Sequence, residues 1–210
     1  MDITLIGATD LFAGGFATWA LAAGHRLTVV GPSLPRAEAY VRELGDGRPA
    51  GPHDPLHDEV VFIALPYPCL RDVWEFYGDE LDGRILVDLL TPLDLQTGEP
   101  IHPREGSTAE ELANHGPRAR VVKAYNRTFA GRMGSGAAFP PAEDVLLAGD
   151  DPAAKEALVP LFEAGGLRAV DVGPLRRARE LEALAYLNIV LGGHPAWNGV
   201  PATTLTAQGA

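Results

Sequence analysis

Apolar positions along this chain fall into short continuous runs that alternate with longer amphipathic ones. Residues 3–6 (ITLI), 26–30 (RLTVV), 59–65 (EVVFIAL), 84–87 (RILV), 120–124 (RVVKA), 144–148 and 167–170 are short, β-branched and apolar. Such runs read as strands buried on both faces. Between them lie stretches with helical spacing. Residues 13–23 place Phe16, Trp19, Ala20 and Ala23 on one side, and 70–77 turn Val73, Trp74 and Tyr77 inward. Residues 37–44, 108–113 and 152–162 read as further helices, and 175–191 as the longest. The inner stripe of that last helix is Leu181, Leu184, Ala185, Asn188 and Leu191, with Asn188 polar where Leu is expected. Strands alternating with helices predict an α/β fold: a doubly wound, parallel, Rossmann-type sheet of about eight strands with a short C-terminal helical segment. The expected division is 1–174 for the sheet domain and 175–210 for a C-terminal helix and irregular tail packed on the crevice.

Local punctuation supports these boundaries. Ser33 and Pro35 suit a helix start, Ser107 with Glu110 forms a capping box, and Asp151-Pro152 places proline in a first turn. Residues 45–58 and 91–107 read as loops rich in Gly, Pro and Asp, and 131–141 as a glycine-rich stretch. His53, Asp54, His57 and Asp58 share the first loop, but with no further ligand in prospect they read as a solvated loop and no metal site is expected.

Composition narrows the function classes. A formal net charge of −11 argues against a nucleic-acid partner, which needs a basic face. Cys69 is the only cysteine, which excludes an internal disulfide and makes a cysteine-built zinc site implausible. No apolar run reaches membrane-spanning length, and the N-terminus lacks a signal-peptide pattern. A cytoplasmic protein acting on a small molecule, with no membrane partner, is expected.

The opening strand, Gly7 and the helix after it have the order of a dinucleotide-binding turn. In register with G-x-G-x-x-G the chain carries Ala8, Asp10 and Ala13. Alanine is tolerated where helix and strand pack; Asp10 puts bulk and a like charge where a pyrophosphate approaches the backbone. After the second strand, where an acid would select NAD, the chain reads Gly31-Pro32-Ser33-Leu34-Pro35-Arg36, with no acid and with Ser33 and Arg36 able to hold a phosphate. The same residues also serve as an ordinary helix cap and a solvated arginine. Pro66 and Tyr67 follow a central strand and could pack on a flat ring. Asp88 ends the next strand, either as a polar group of the crevice or as a cap on the loop that follows. Lys123, Tyr125 and Asn126 make the densest polar cluster at a strand end.

The segments ITLIGAT, AGH with VVG, VVFIALPY, ILVDLLTPL, VVKAYNRTFA, LLAGDDPAAK and VDVGPLRRARELEALAYL resemble, in this order, the NADP-dependent oxidoreductases of the deazaflavin coenzyme. The ferric-reductase domains of certain membrane metalloreductases are similar. The resemblance spans about residues 2 to 191. It implies hydride transfer between NADPH and a flat acceptor, a deazaflavin or another small molecule, in a homodimer. NADPH would lie over the turn at Gly7, Thr9, Asp10, Leu11 and Phe12, its 2′-phosphate near Ser33 and Arg36. The nicotinamide would sit by Leu65, Pro66, Tyr67 and the strand end from Lys123 to Asn126. The chain departs from the family at the motif glycines, at Pro32 and Ser33 where a Ser-Arg pair is usual, at Arg127, and from Gly192 onward.

Three functions remain open on these residues. One is an NADP-dependent reductase. A second is a scaffold that has lost the dinucleotide and uses Asp10, held ionised at a helix N-terminus, as a base toward a small organic substrate. Tyr67, Lys123, Tyr125, Asn126 or His194 would be its polar partners. A third is a binding or assembly protein whose last helix and Trp197 form a dimer face.

Overall fold

The structure, a computed structural model, describes residues 1–7, 11–94, 96–125 and 143–192, with backbone alone at 11–13, 125, 143 and 192. Eight strands form one sheet: β1 (Asp2–Ile6), β2 (Arg26–Val30), β3 (Arg48–Ala50), β4 (Val60–Ile63), β5 (Ile85–Asp88), β6 (Arg120–Tyr125), β7 (Glu143–Gly149) and β8 (Leu167–Gly173). Their spatial order is β3-β2-β1-β4-β5-β6-β7-β8. Among the described residues six α-helices accompany them: α1 (Leu11–Ala22), α2 (Leu34–Leu44), α3 (Leu70–Tyr77), α4 (Thr108–His115), α5 (Pro152–Ala164) and α6 (Ala178–Gly192). This is the doubly wound architecture expected from the strand and helix pattern.

Two details differ from the sequence reading. β7 runs antiparallel to β6, while every other neighbouring pair is parallel. A strand buried on both faces is an apolar run whichever way it points, so hydrophobic pattern alone cannot report this reversal. The 45–58 loop contains β3, three residues at the sheet edge paired only to β2. Its central Pro49 has no N–H to donate, which an edge strand tolerates and which removes any strand signal from the sequence.

The two sheet faces bury separate cores. On one, Phe16, Ala17, Trp19 and Ala20 of α1 meet Leu158, Leu161 and Phe162 of α5 over Leu5, Phe62, Val87 and Val122. Phe16 packs on Phe62 with ring centroids 4.2 Å apart, and the Trp19 indole donates to the Gly165 carbonyl at 3.1 Å. Tyr40, Val41 and Leu44 of α2 extend this side. On the other face, Leu70, Val73 and Tyr77 of α3, Ala109 and Leu112 of α4 and Ala178 of α6 cover Ile6, Ile63, Leu86 and Val121.

Because β1 lies between β2 and β4, the chain winds first one way and then the other from the centre of the sheet. The carboxyl ends of β1 and β4 therefore splay apart into the crevice where open α/β sheets bind ligands. Val30, Ile6, Ile63, Asp88 and Lys123 form a register row across five strands at those ends. The row is apolar until it reaches Asp88 and Lys123.

Candidate functional site: the crevice at the strand ends

Gly7 closes β1. Its N–H donates to the Val30 carbonyl at 3.0 Å, and its φ of +98° lies in the region glycine adopts freely. A Cβ there would stand 2.4 Å from Leu65 Cδ2 and 2.5 Å from the Ala64 carbonyl oxygen. The turn out of β1 is thus pressed against the end of β4, and only a residue without a side chain fits. α1 opens at Leu11, with Leu11 and Phe12 described as backbone in its first turn. Thr9 and Asp10 lie outside the described residues.

At the end of β2, Gly31 donates to the Ala50 carbonyl at 3.1 Å, and a Cβ on it would stand 3.0 Å from the Ala37 nitrogen. This close approach brings the start of α2 against the strand end. Ser33 is the N-cap residue, extended at φ −158° and ψ 155°, and its side chain makes no capping hydrogen bond. Arg36 is exposed on the first turn of α2 and forms no ion pair with another described residue. Both follow closely on Gly31 and Pro32, which line the crevice. No acid stands between Val30 and Arg36.

A cavity of about 420 Å³ opens between these ends, walled by Gly7, Gly31 and Pro32 on one side and by Leu65, Pro66 and Cys69 on the other. Val73, Phe76 and Tyr77 of α3 form its outer wall, and Asp72 is the one acidic residue among its described lining residues. The α3 residues were not foreseen as part of a site. Their inward spacing was legible, but the same spacing serves an ordinary core. Burial, with Asp72 nearby, raises the Cys69 thiol above its ordinary pKa, so this cysteine is not an activated nucleophile.

Leu65 and Pro66 therefore line the crevice. Tyr67 turns away toward α4, and its hydroxyl donates to Glu111 Oε2 at 2.8 Å. Burial and the Glu111 carboxylate together push its pKa up to about 12, which keeps it a hydrogen-bond donor at neutral pH.

Lys123, a candidate polar group of the crevice from its place at a strand end, is instead closed in by protein. It is 2% exposed, and its ammonium contacts Asp88 Oδ2 at 3.0 Å, Glu182 Oε1 at 3.0 Å, Thr108 Oγ1 at 3.1 Å and the Leu90 carbonyl at 2.5 Å. Burial alone would lower its pKa, but the two carboxylates raise it above the ordinary lysine value. Surrounded in this way, Lys123 has no open face for a ligand and cannot be the catalytic group of the crevice. Asp88 is fully buried beside it and accepts from the Leu90 N–H at 2.7 Å, so it caps the following loop rather than facing the crevice. Two members of this cluster, Thr108 and Glu182, were not singled out from sequence. Tyr125 ends β6 and is described as backbone only; Asn126, Arg127, His194 and Trp197 lie outside the described residues. Among the described residues no group of His, Cys, Asp and Glu could hold a metal ion, and no helix is long and apolar enough to cross a membrane.

A glycine turn pressed on a neighbouring strand, an apolar crevice at the switch point and a second strand that ends without an acid define a Rossmann-type α/β protein of the reductase and dehydrogenase architecture. Comparison with known proteins gives that class particular relatives. The chain is 30% identical over 138 residues to the F420-dependent NADP reductase of Methanocaldococcus jannaschii, a match covering 63% of this chain and 61% of that protein. It is 35% identical over 157 residues to Metalloreductase STEAP3 of Rattus norvegicus, covering 72% of this chain and 28% of that one. The chain thus spans less than two thirds of the length of either curated relative. Among solved structures, a protein from Arthrobacter sp. FB24 provisionally assigned as an F420-dependent NADP reductase superposes with a TM-score of 0.80 at 25% identity, over 98% of this chain and 99% of that one. An imine reductase of Streptomyces aurantiacus, TM-score 0.62 at 19% identity, shares the fold. No family model matches the chain. The sequence and structure comparisons both meet the family that the motifs resemble.

Proposed function

We propose that this protein is an NADP-dependent reductase that passes a hydride between NADP(H) and a flat small molecule, with the deazaflavin coenzyme F420 as the hydride partner that its relatives' names point to. The observation that carries the reading is the end of β2. Gly31, Pro32, an N-cap Ser33 with an uncommitted side chain and an exposed Arg36 stand beside an apolar cavity of about 420 Å³, where an acid would disfavour a 2′-phosphate. The cavity fits an adenosine, and Gly7 leaves the backbone bare where a pyrophosphate would pass. Ser33 and Arg36 would hold the 2′-phosphate, Leu11 and Phe12 would offer backbone N–H groups at the start of α1, and Leu65 and Pro66 would lie against the nicotinamide end. The cofactor, when bound, supplies the hydride.

The chain's own part is to position, and to keep water out. Leu65 and Pro66 give an apolar wall, and Tyr67, held by Glu111, fixes the turn that carries them. Tyr125 and Asn126, next after Lys123, would belong to the nicotinamide end, as the resemblance implies; Lys123 acts from beneath, as part of the sheet. Little acid–base help is needed in such a transfer, which agrees with a crevice that presents no activated nucleophile among its described residues.

Titration of NADPH into the protein should enhance nicotinamide fluorescence, and adding oxidised deazaflavin coenzyme should then consume NADPH. Absence of any binding at millimolar NADPH would end this reading and leave the fold without its cofactor.

A further inference from the structure

Beneath the crevice, Lys123 of β6, Asp88 of β5, Thr108 of α4 and Glu182 of α6 meet in a closed polar cluster, each 7% exposed or less. Hydrogen atoms can be counted there. The Thr108 hydroxyl has one proton to give. Its oxygen lies 2.5 Å from Asp88 Oδ2 and 2.7 Å from Glu182 Oε1. It can donate to one of them only, and the other contact then sets two oxygens at hydrogen-bond distance with nothing between them. The Lys123 ammonium cannot fill that gap, because its three protons already face four oxygens. The Thr108 N–H also points to Glu182 Oε1, at 2.9 Å, and the Leu90 N–H to Asp88 Oδ1, at 2.7 Å. One more proton is required, and it must sit on a carboxylate.

We propose that Asp88 and Glu182 together carry one proton in the folded protein, shared through Thr108, so that with Lys123 they form a neutral latch fastening α6 to the sheet. Charge points the same way. Two ionised carboxylates and one ammonium would leave a net negative charge in a dry site, which is costly; one proton removes it. Burial raises the pKa of Glu182, in agreement with the geometry. The latch joins residues distant in sequence: α6 is held to β5 and β6 through Glu182, and the start of α4 through both Thr108 groups.

The consequence is a stability that falls as pH rises. A carboxyl whose folded pKa exceeds its unfolded value contributes fully below the unfolded value, near 4.5 for Glu, and loses that contribution as pH climbs through the folded one. Other titratable groups lie close by. Tyr67 hydrogen-bonds Glu111 on the α4 side, Glu105 lies near it, and Glu110 pairs with Arg179 at 2.7 Å across α4 and α6. They are common to wild type and variant, so a difference between the two isolates the latch.

Chemical denaturation of the full chain and of Glu182→Gln from pH 5 to 9 supplies the test. The amide imitates the protonated acid and does not titrate. Relative to the variant, the wild-type folding constant should fall by up to about tenfold per pH unit from the low end of the range until the folded protein itself releases the shared proton, and level off above that. A ratio that stays constant across the range overturns the proposal. Should the variant fail to fold, infrared spectroscopy of the wild type decides: a protonated-carboxyl carbonyl band is expected at pH 7, lost in Asp88→Asn, and its absence from the wild type overturns the proposal equally.

Discussion

Gly7 carries more constraint than any other position described at the crevice. Its positive φ and the 2.5 Å that a Cβ would leave to the Ala64 carbonyl oxygen act together, and backbone cannot swing aside as a side-chain end can. Gly7→Ala should therefore destabilise the fold by about 2–4 kcal/mol, combining left-handed strain with overpacking. Urea denaturation checks this; a loss below about 0.5 kcal/mol would show that the β1 turn is looser than the distances say. Notice of Gly7 came from its place after an apolar run. Lys123 and Asp88 gave no such notice. Each was visible as a polar residue at a strand end, but burial depends on which neighbours arrive, and the decisive neighbour, Glu182, is about sixty residues away in the chain. Removing the cation alone tests that burial. Lys123→Met should cost about 3–5 kcal/mol, the range for breaking a buried pair and leaving its partners uncompensated. Thermal unfolding at pH 7 measures it, and a near-neutral result would place Lys123 in water after all.

Helix termini were the most legible elements, because their chemistry is local. The Ser107-x-x-Glu110 spacing reads as a capping box, and its first contact is present: the Glu110 N–H donates to Ser107 Oγ at 3.1 Å, while the Ser107 hydroxyl donates to Glu110 Oε2 at 2.8 Å and ties the two side chains together. Asp151 likewise accepts from the Ala153 and Ala154 N–H groups at 2.9 and 3.3 Å. Ser107→Ala should cost about 1 kcal/mol in denaturant unfolding, and more if the buried site retains no water for the orphaned N–H. The elements that escaped were those whose pairing is decided elsewhere. β3 is three residues with a central proline, and β7 reverses direction without any change in its apolar pattern. α6 stands between these cases. Its stripe of Leu181, Ala185 and Asn188 is legible and buried, and Glu182, four residues after the buried Ala178 and three before Ala185, shares that inner face. An acid at a core spacing was the signal available for the latch, as Asn188 was for a polar core position.

At the scale of the whole molecule, strand order assembles the candidate site. Because the chain reverses its winding at β1, the ends of β1, β2 and β4 meet around one cavity; Gly31 and Pro32, at the acid-free end of β2, stand in its rim, and α2 starts directly after them. In the proposed reading this rim separates NADPH from NADH, which differ there by a single phosphate. Arg36 is exposed, so water screens its attraction, and a charge-assisted hydrogen bond at such a position sits at the low end of the usual 1.5–3 kcal/mol. Arg36→Ala should then weaken NADPH binding by about tenfold and leave NADH binding unchanged, since NADH offers that guanidinium nothing. Ser33→Ala should show the same selectivity with a smaller loss, its hydroxyl being a neutral donor whose removal breaks no described helix cap. Fluorescence titrations of both cofactors against both variants, at fixed salt, check the ratio. If Arg36→Ala weakened the two cofactors equally, the effect would come from a disturbed start of α2, and the 2′-phosphate would have to be held elsewhere.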